Sequence, residues 1–149
     1  MSNQLDKFNK QYKVSIKLPV QWGDLDAFNH VNNAKYFSYF ESVRIAYFEK
    51  LGVMGNDIQN DNIAPILAHT ECRFKLPLNY PDSILVGARI TENHSHGFLM
   101  QYAVYSQQHQ VITSVGTGRI VMLNYATHEK VKVNEEIQTK INSIESTFN

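Results

Sequence analysis

Apolar and polar residues alternate strictly from Val14 to Trp22, with Val14, Ile16, Leu18, Val20 and Trp22 on one side of the chain. A period of two belongs to a half-buried strand, so this stretch predicts a first strand. The period then changes. Tyr36, Phe37, Phe40, Val43, Tyr47 and Leu51 recur at helical spacing between Ala34 and Leu51, with Asn32 and Asn33 as candidate N-caps and Gly52 as the stop. A helix with so many aromatics needs a broad apolar surface, which only the strands that follow can provide.

Those strands return to a period of two. Ile66, Ala68, Thr70, Cys72, Phe74 and Leu76 alternate with Leu67, His69, Glu71, Arg73 and Lys75, and Pro77 with the Asn79-Tyr80-Pro81-Asp82 cluster closes the run. Ile84, Val86, Ala88 and Ile90 predict a third strand, a His-Ser-His-Gly turn follows, and Phe98, Met100, Tyr102 and Val104 predict a fourth. Such short connections imply antiparallel pairing. A fifth strand is expected from about Val111 to Leu123. In it Gly116 and Gly118 share a face that a helix or ligand can approach closely. Ile137, Ile141, Ile144 and Phe148 line one side of a last helix starting near Asn134, over about 134–146. The layout is α+β, with helices on one face of an antiparallel sheet.

Composition narrows the partners. With 149 residues, 43% of them hydrophobic, the chain suits one core and reads as a single domain over 1–149. Lys plus Arg and Asp plus Glu each number 14 and are scattered, so no nucleic-acid or membrane partner is expected. Residues 1–14 hold no apolar run of the signal-peptide kind, and a cytoplasmic location is the expectation. The single cysteine, Cys72, excludes an internal disulfide and reads as a packing residue. His94 and His96 share a turn without a third ligand in view, so no metal and no cofactor are expected.

The chain carries no G-x-S-x-G elbow, phosphate-binding loop, dinucleotide fingerprint or H-E-x-x-H motif. What remains is the loop before the long helix, where Asp24, Asp26, Asn29, His30, Asn32 and Asn33 crowd within ten residues. Asp and Asn also organise loops and cap helices, so composition alone favours a structural role for them. Glu41 and Arg44, three apart on the helix, suit an ion pair, with Glu41 in reserve for acid-base work.

The spacing is more specific than the composition. The run W-x-D-x-D-A-F-x-H-V-N-N-A-x-Y-x-x-Y-F-E-x-x-R, from Trp22 to Arg44, resembles the signature of the 4-hydroxybenzoyl-CoA thioesterase family, acyl-CoA thioesterases of the hot-dog fold. The resemblance extends in outline from Val14 to about Glu136 and implies an antiparallel sheet wrapped around a long central helix. It also implies two subunits with joined sheets, as a homodimer or homotetramer, and an acyl-CoA substrate at their interface. The family's catalytic aspartate, the second of its D-x-D pair, falls on Asp26, and its oxyanion-polarising backbone amide falls on Asn33. Asn29 stands where many relatives have glycine, a place that asparagine tolerates if the backbone is left-handed. The Asp26-Ala27-Phe28-Asn29 stretch is closer to fatty-acyl members than to the D-P-A-G pattern of enzymes acting on 4-hydroxybenzoyl-CoA itself.

Physical chemistry agrees with these assignments. Thioester cleavage needs a nucleophile, or a base that activates water, together with a donor for the developing oxyanion. Coenzyme A leaves as a thiolate, and because thiols ionise near about pH 8.5, departure needs little acid assistance. Asp26 can serve as nucleophile or general base, and the free N–H groups at Asn33 can polarise the carbonyl. Asp24, His30 and Asn32 either meet substrate or support the loop. Arg73, Lys75, Arg89 and Arg119 are candidates for the CoA phosphates and equally for solvated strand positions. The expectation is an acyl-CoA thioesterase, with acyl carrier protein thioesters as further substrates. The alternatives are a non-catalytic acyl-CoA binding protein and a hot-dog hydratase acting on enoyl thioesters, although the hydratases' G-D-x-N-P-[aliphatic]-H motif is absent here.

Overall fold

The long helix forms as its spacing predicts. In the computed structural model, which describes residues 3–54 and 62–146, it is α2 (Asn33–Leu51). Asn32 caps it, its side-chain oxygen accepting the Ala34 N–H at 2.9 Å, and Gly52 ends it in the left-handed conformation at φ 72°. Tyr36, Phe40, Val43, Tyr47 and Leu51 are fully buried or nearly so.

The surface they meet is a curled antiparallel sheet of β1 (Val14–Pro19), β2 (Ile63–Phe74), β3 (Ser83–His94), β4 (Gly97–Ser106), β5 (Val111–Asn124) and the short β6 (Glu129–Lys130). The strand order is β1-β3-β4-β5-β2, with β6 beside β5, so β1 and β2 are the edges. Phe40 stacks on Tyr102 of β4 with centroids 4.8 Å apart. Gly116 permits this close approach, since a Cβ there would lie 2.5 Å from the Phe40 ring. The last helix, α3 (Glu135–Glu145), is capped by Asn134 and buries Ile137 and Ile141; Phe148 lies outside the described residues. Among the described residues no helix is long and apolar enough to cross a membrane.

Three details depart from the sequence reading. The first strand stops at Pro19, and Trp22 enters a 3-10 turn (Trp22–Asp24) where it is 75% exposed instead of facing the core. The cause is local: the Asp24 carboxylate accepts the Gln21 N–H at 2.9 Å and bends the chain away from the sheet. In β2 the alternation breaks at a bulge between Leu67 and His69, leaving Ile66 and Leu67 exposed on the sheet edge. An unanticipated helix, α1 (Asn3–Gln11), lies on the face of the sheet opposite α2. There Phe8 and Tyr12 pack against Ala103 and Tyr105, over the gap left by Gly87.

Candidate active site

The loop between β1 and α2 is fixed by its own side chains. Asp24 is buried; its carboxylate accepts the Gln21 N–H and the Tyr39 hydroxyl at 3.1 Å, and Lys35 lies 3.5 Å away. Burial, reinforced by the Asp24 charge, pushes the Tyr39 hydroxyl well above its ordinary range, so it remains a donor to that carboxylate. Asp24 also anchors the main chain, its carbonyl accepting the Asn32 N–H at 2.9 Å.

Asp26 sits at the tip of this frame. Its Oδ1 accepts the Phe28 N–H at 2.8 Å and the His30 N–H at 3.4 Å, while its own N–H donates to the His30 carbonyl at 2.8 Å. Two donors hold one carboxylate oxygen, and among the described residues none claims Oδ2. The tight turn places Asn29 at φ 64°, the left-handed region that asparagine enters more readily than most residues. Beyond the end of β2, the Leu78 carbonyl accepts the Val31 N–H at 3.0 Å and the Leu78 N–H donates to the Tyr36 hydroxyl at 3.3 Å.

At the start of α2 the Ala34 N–H is taken by the Asn32 side chain and the Lys35 N–H by the Asn32 carbonyl. The Asn33 N–H has no acceptor among the described residues, so an unpaired donor stands at the positive end of a 19-residue helix. Asp26, His30 and Asn33 share a cleft of about 270 Å³ whose apolar wall includes Tyr36, Phe74 and Leu76. Tyr36 and Phe74 meet edge to face, with centroids 4.9 Å apart. The arrangement can hold an acyl group against the wall, with its carbonyl between a free carboxylate oxygen and a free amide.

The apolar wall was not foreseen. Residues 74–77 lie some fifty positions from the loop, and only the β2–β5 pairing and the return of the chain through Leu78 bring them to it. Of the four candidate cations Lys75 reaches the cleft, whereas Arg89 bonds Gln101 at 2.6 Å and lies over the Tyr12 ring on the far side of the sheet. The expected Glu41–Arg44 ion pair does not form. Arg44 turns inward, is 8% exposed and donates to the Tyr102 hydroxyl at 3.1 Å. His94 pairs with Glu92 and His96 with Ser95, and no cluster of three metal-ligating side chains occurs among the described residues.

Residues 20–141 match the sequence pattern of the thioesterase-like superfamily. The chain belongs to that superfamily. The hot-dog fold expected from the Trp22–Arg44 signature is the fold observed. Among curated relatives, the acyl-acyl carrier protein thioesterase ATL3, chloroplastic, of Arabidopsis thaliana is 24% identical over 125 residues, 84% of this chain and 65% of its own length. YsmA of Bacillus subtilis is 38% identical over 58 residues, 39% of this chain and 37% of its own. The match thus spans less than two thirds of either relative. Among solved structures, a putative thioesterase from Pseudomonas aeruginosa has a TM-score of 0.78 at 25% identity, covering 88% of this chain and 99% of that one. A thioesterase complexed with coenzyme A and Zn from Thermus thermophilus shares the fold at a TM-score of 0.78 and 24% identity, covering 93% and 98%. This thioesterase-like chain therefore has its likeness over nearly its whole length, including the loop that carries Asp26.

Proposed function

We propose that this protein is an acyl-CoA thioesterase, with Asp26 as its reacting carboxylate and the Asn33 main-chain N–H as the oxyanion donor. One observation carries the reading: a carboxylate with a single free oxygen and a helix N-terminus with a free amide open into the same cleft. In the nucleophilic form, Asp26 Oδ2 attacks the thioester carbonyl, the C–S bond breaks, CoA leaves as thiolate, and water hydrolyses the resulting mixed anhydride. In the general-base form, Oδ2 takes a proton from water as its oxygen attacks, and the same thiolate departs. Either way negative charge grows on the carbonyl oxygen, where the Asn33 N–H opposes it.

The relatives support a thioester of CoA or of carrier protein: one is a thioesterase complexed with coenzyme A, another an acyl-acyl carrier protein thioesterase. Lys75 at the cleft is the cation best placed for a CoA phosphate. Asp24 and Asn32 act through the loop and the helix cap. His30 borders the substrate with its ring and braces Asp26 with its main chain. The free edge of β2, with Ile66 and Phe74 exposed, suits a second copy of the chain and hence a homodimer or homotetramer.

The test is a panel of acyl-CoA and acyl carrier protein thioesters, aliphatic and aromatic, with free thiol followed over time. Thiol release with turnover on at least one class is the expected result. Tight binding of acyl-CoA without release identifies a binding protein instead, and loss of enoyl absorbance without thiol identifies a hydratase.

A further inference from the structure

Arg44 is a buried cation without a carboxylate partner. Its Nη1 donates to the Tyr102 hydroxyl at 3.1 Å, and the guanidinium carbon lies 6.0 Å from that ring's centroid. The Tyr102 hydroxyl is in turn directed at Met100 Sδ, 3.8 Å away. Among the described residues no Asp or Glu pairs with Arg44. A guanidinium has five N–H donors, and one hydroxyl satisfies few of them. Burying such a charge is unfavourable unless something answers it.

The surroundings indicate what answers it. Two depressions of about 230 and 340 Å³ lie between α2 and β2, and Arg44, Glu41 and Leu67 line both. They share no lining residue with the cleft at Asp26 but lie further along the same helix and strand: the cleft takes Asn33, Tyr36 and Phe74, the first depression Phe37, Ser38 and Thr70, and the second Phe48, Val53 and Ala64 near the far end of α2. Phe37 and Ser38 lie between the two ends, and Ile45, Phe48 and Met54 make the deeper part apolar. Arg44 is eleven residues beyond Asn33 on α2, about 16 Å along the helix axis. An acyl group whose carbonyl sits at Asn33 would follow this seam, and a chain of medium length would end at the guanidinium.

We infer that Arg44 binds an oxygen function, a carboxylate or a hydroxyl, at the far end of the acyl group, so that the preferred substrate is an ω-oxygenated acyl thioester. The inference rests on the thioesterase reading above. A plain hydrocarbon laid over Arg44 would strip its water and offer no acceptor, whereas a terminal oxygen would complete its hydrogen bonding. Sites built around a buried polar group discriminate strongly against analogues that lack the matching atom. A carboxylate from a second copy is the competing partner. It is disfavoured because Arg44 is only 8% exposed, with its guanidinium turned to Tyr102 of β4, while the side chains that β2 exposes beside it, Ile66 and Leu67, are apolar.

The experiment compares CoA thioesters in matched sets at octanoyl, decanoyl and dodecanoyl length, each unmodified, ω-hydroxylated or ω-carboxylated. It uses the parent protein, Arg44→Met, Arg44→Lys and Tyr102→Phe, all checked for thermal unfolding and sedimentation. Two readouts are taken, kcat/KM from thiol release and binding by isothermal titration. The parent should favour an oxygenated chain at one or more lengths by about tenfold or more in both readouts. Arg44→Met should abolish that preference, Arg44→Lys should keep part of it, and Tyr102→Phe, which retains the cation, should keep most. If no thioester is cleaved but the binding preference depends on Arg44, the catalytic reading fails and the assignment of Arg44 stands. Equal binding of plain and oxygenated chains by the parent, or no binding of either, overturns the assignment. So does an Arg44→Met protein that changes its association state with chain preference unaltered, which would give Arg44 to the subunit interface.

Discussion

At the scale of single residues, the site divides between side chains and main chain, and substitution should reveal the division. Asn33 contributes its N–H, so Asn33→Ala is expected to keep thioesterase activity within a few-fold of the parent. Asn32 contributes the oxygen that caps α2 at Ala34, and Asn32→Ala should lower stability by about 1 kcal/mol in denaturant unfolding. Activity should fall further in Asn32→Ala than in Asn33→Ala, because the cap fixes the position of the free amide. Cys72 allows a separate check of burial. Desolvation lifts its thiol from an ordinary 9.0 to about 11. Raising a thiol's pKa leaves less thiolate at any pH below it, by about 100-fold for such a shift. Alkylation of the native protein by iodoacetamide near neutral pH is therefore expected to be far slower than that of a free cysteine, and to recover in denaturant.

The residues of the loop were legible in the sequence because their spacing was specific. Asp26, Asn32 and Asn33 occupy the positions at the loop and helix start that their order implied, and Asn29 adopts the left-handed backbone that asparagine tolerates where many members of the family have glycine. The inward turn of Arg44 was not legible. Its i,i+3 spacing to Glu41 describes helix geometry alone, and the competing acceptor, Tyr102, comes from a strand 58 residues away.

At the scale of elements, periodicity succeeded where a face is continuously buried and failed where it is not. The spacing found α2, β3 and β4 because each presents a long apolar row to one core, whereas β5 buries only Ile120 and Met122 there and was marked by its Gly116 and Gly118. It misread β2, where a bulge shifts the phase, and overran β1, where Asp24 turns the chain. Helix α1 escaped notice because NQLDKFNKQ offers only Leu5 and Phe8 as apolar anchors, too few for a periodic signal. Those anchors nonetheless matter. Phe8 is fully buried between Tyr12 and Tyr105, so Phe8→Ala should destabilise the protein by roughly 3 kcal/mol, read from the urea midpoint. Because α1 lies on the sheet face away from α2, that loss should leave the preference among thioesters unchanged.

At the scale of the whole molecule, the β2 edge of the sheet is both open and apolar. Among the described residues β2 pairs only with β5, and Ile66, Leu67 and Phe74 are 40%, 37% and 46% exposed along it. Unpaired strand edges with apolar side chains invite another strand. Ile66→Glu places a charge on that edge and is expected to shift the protein toward monomer in sedimentation, with a parallel loss of activity if the substrate lies between subunits. A protein that stays associated with Ile66→Glu would move the interface elsewhere. The sequence offered this edge only through the family resemblance, since alternation in β2 implied a buried face that the bulge removes.

The central claim concerns Asp26 Oδ2, the carboxylate oxygen left free by its own loop. Its direct measurement is kcat/KM for Asp26→Asn against the parent on the best acyl-CoA, with both proteins matched in unfolding temperature and association state. The amide can still accept the Phe28 N–H through its oxygen, so the loop should hold while the reactive oxygen is lost. The account expects a loss of about 100-fold or more with binding of acyl-CoA retained. An Asp26→Asn protein that releases thiol at the parental rate would contradict it.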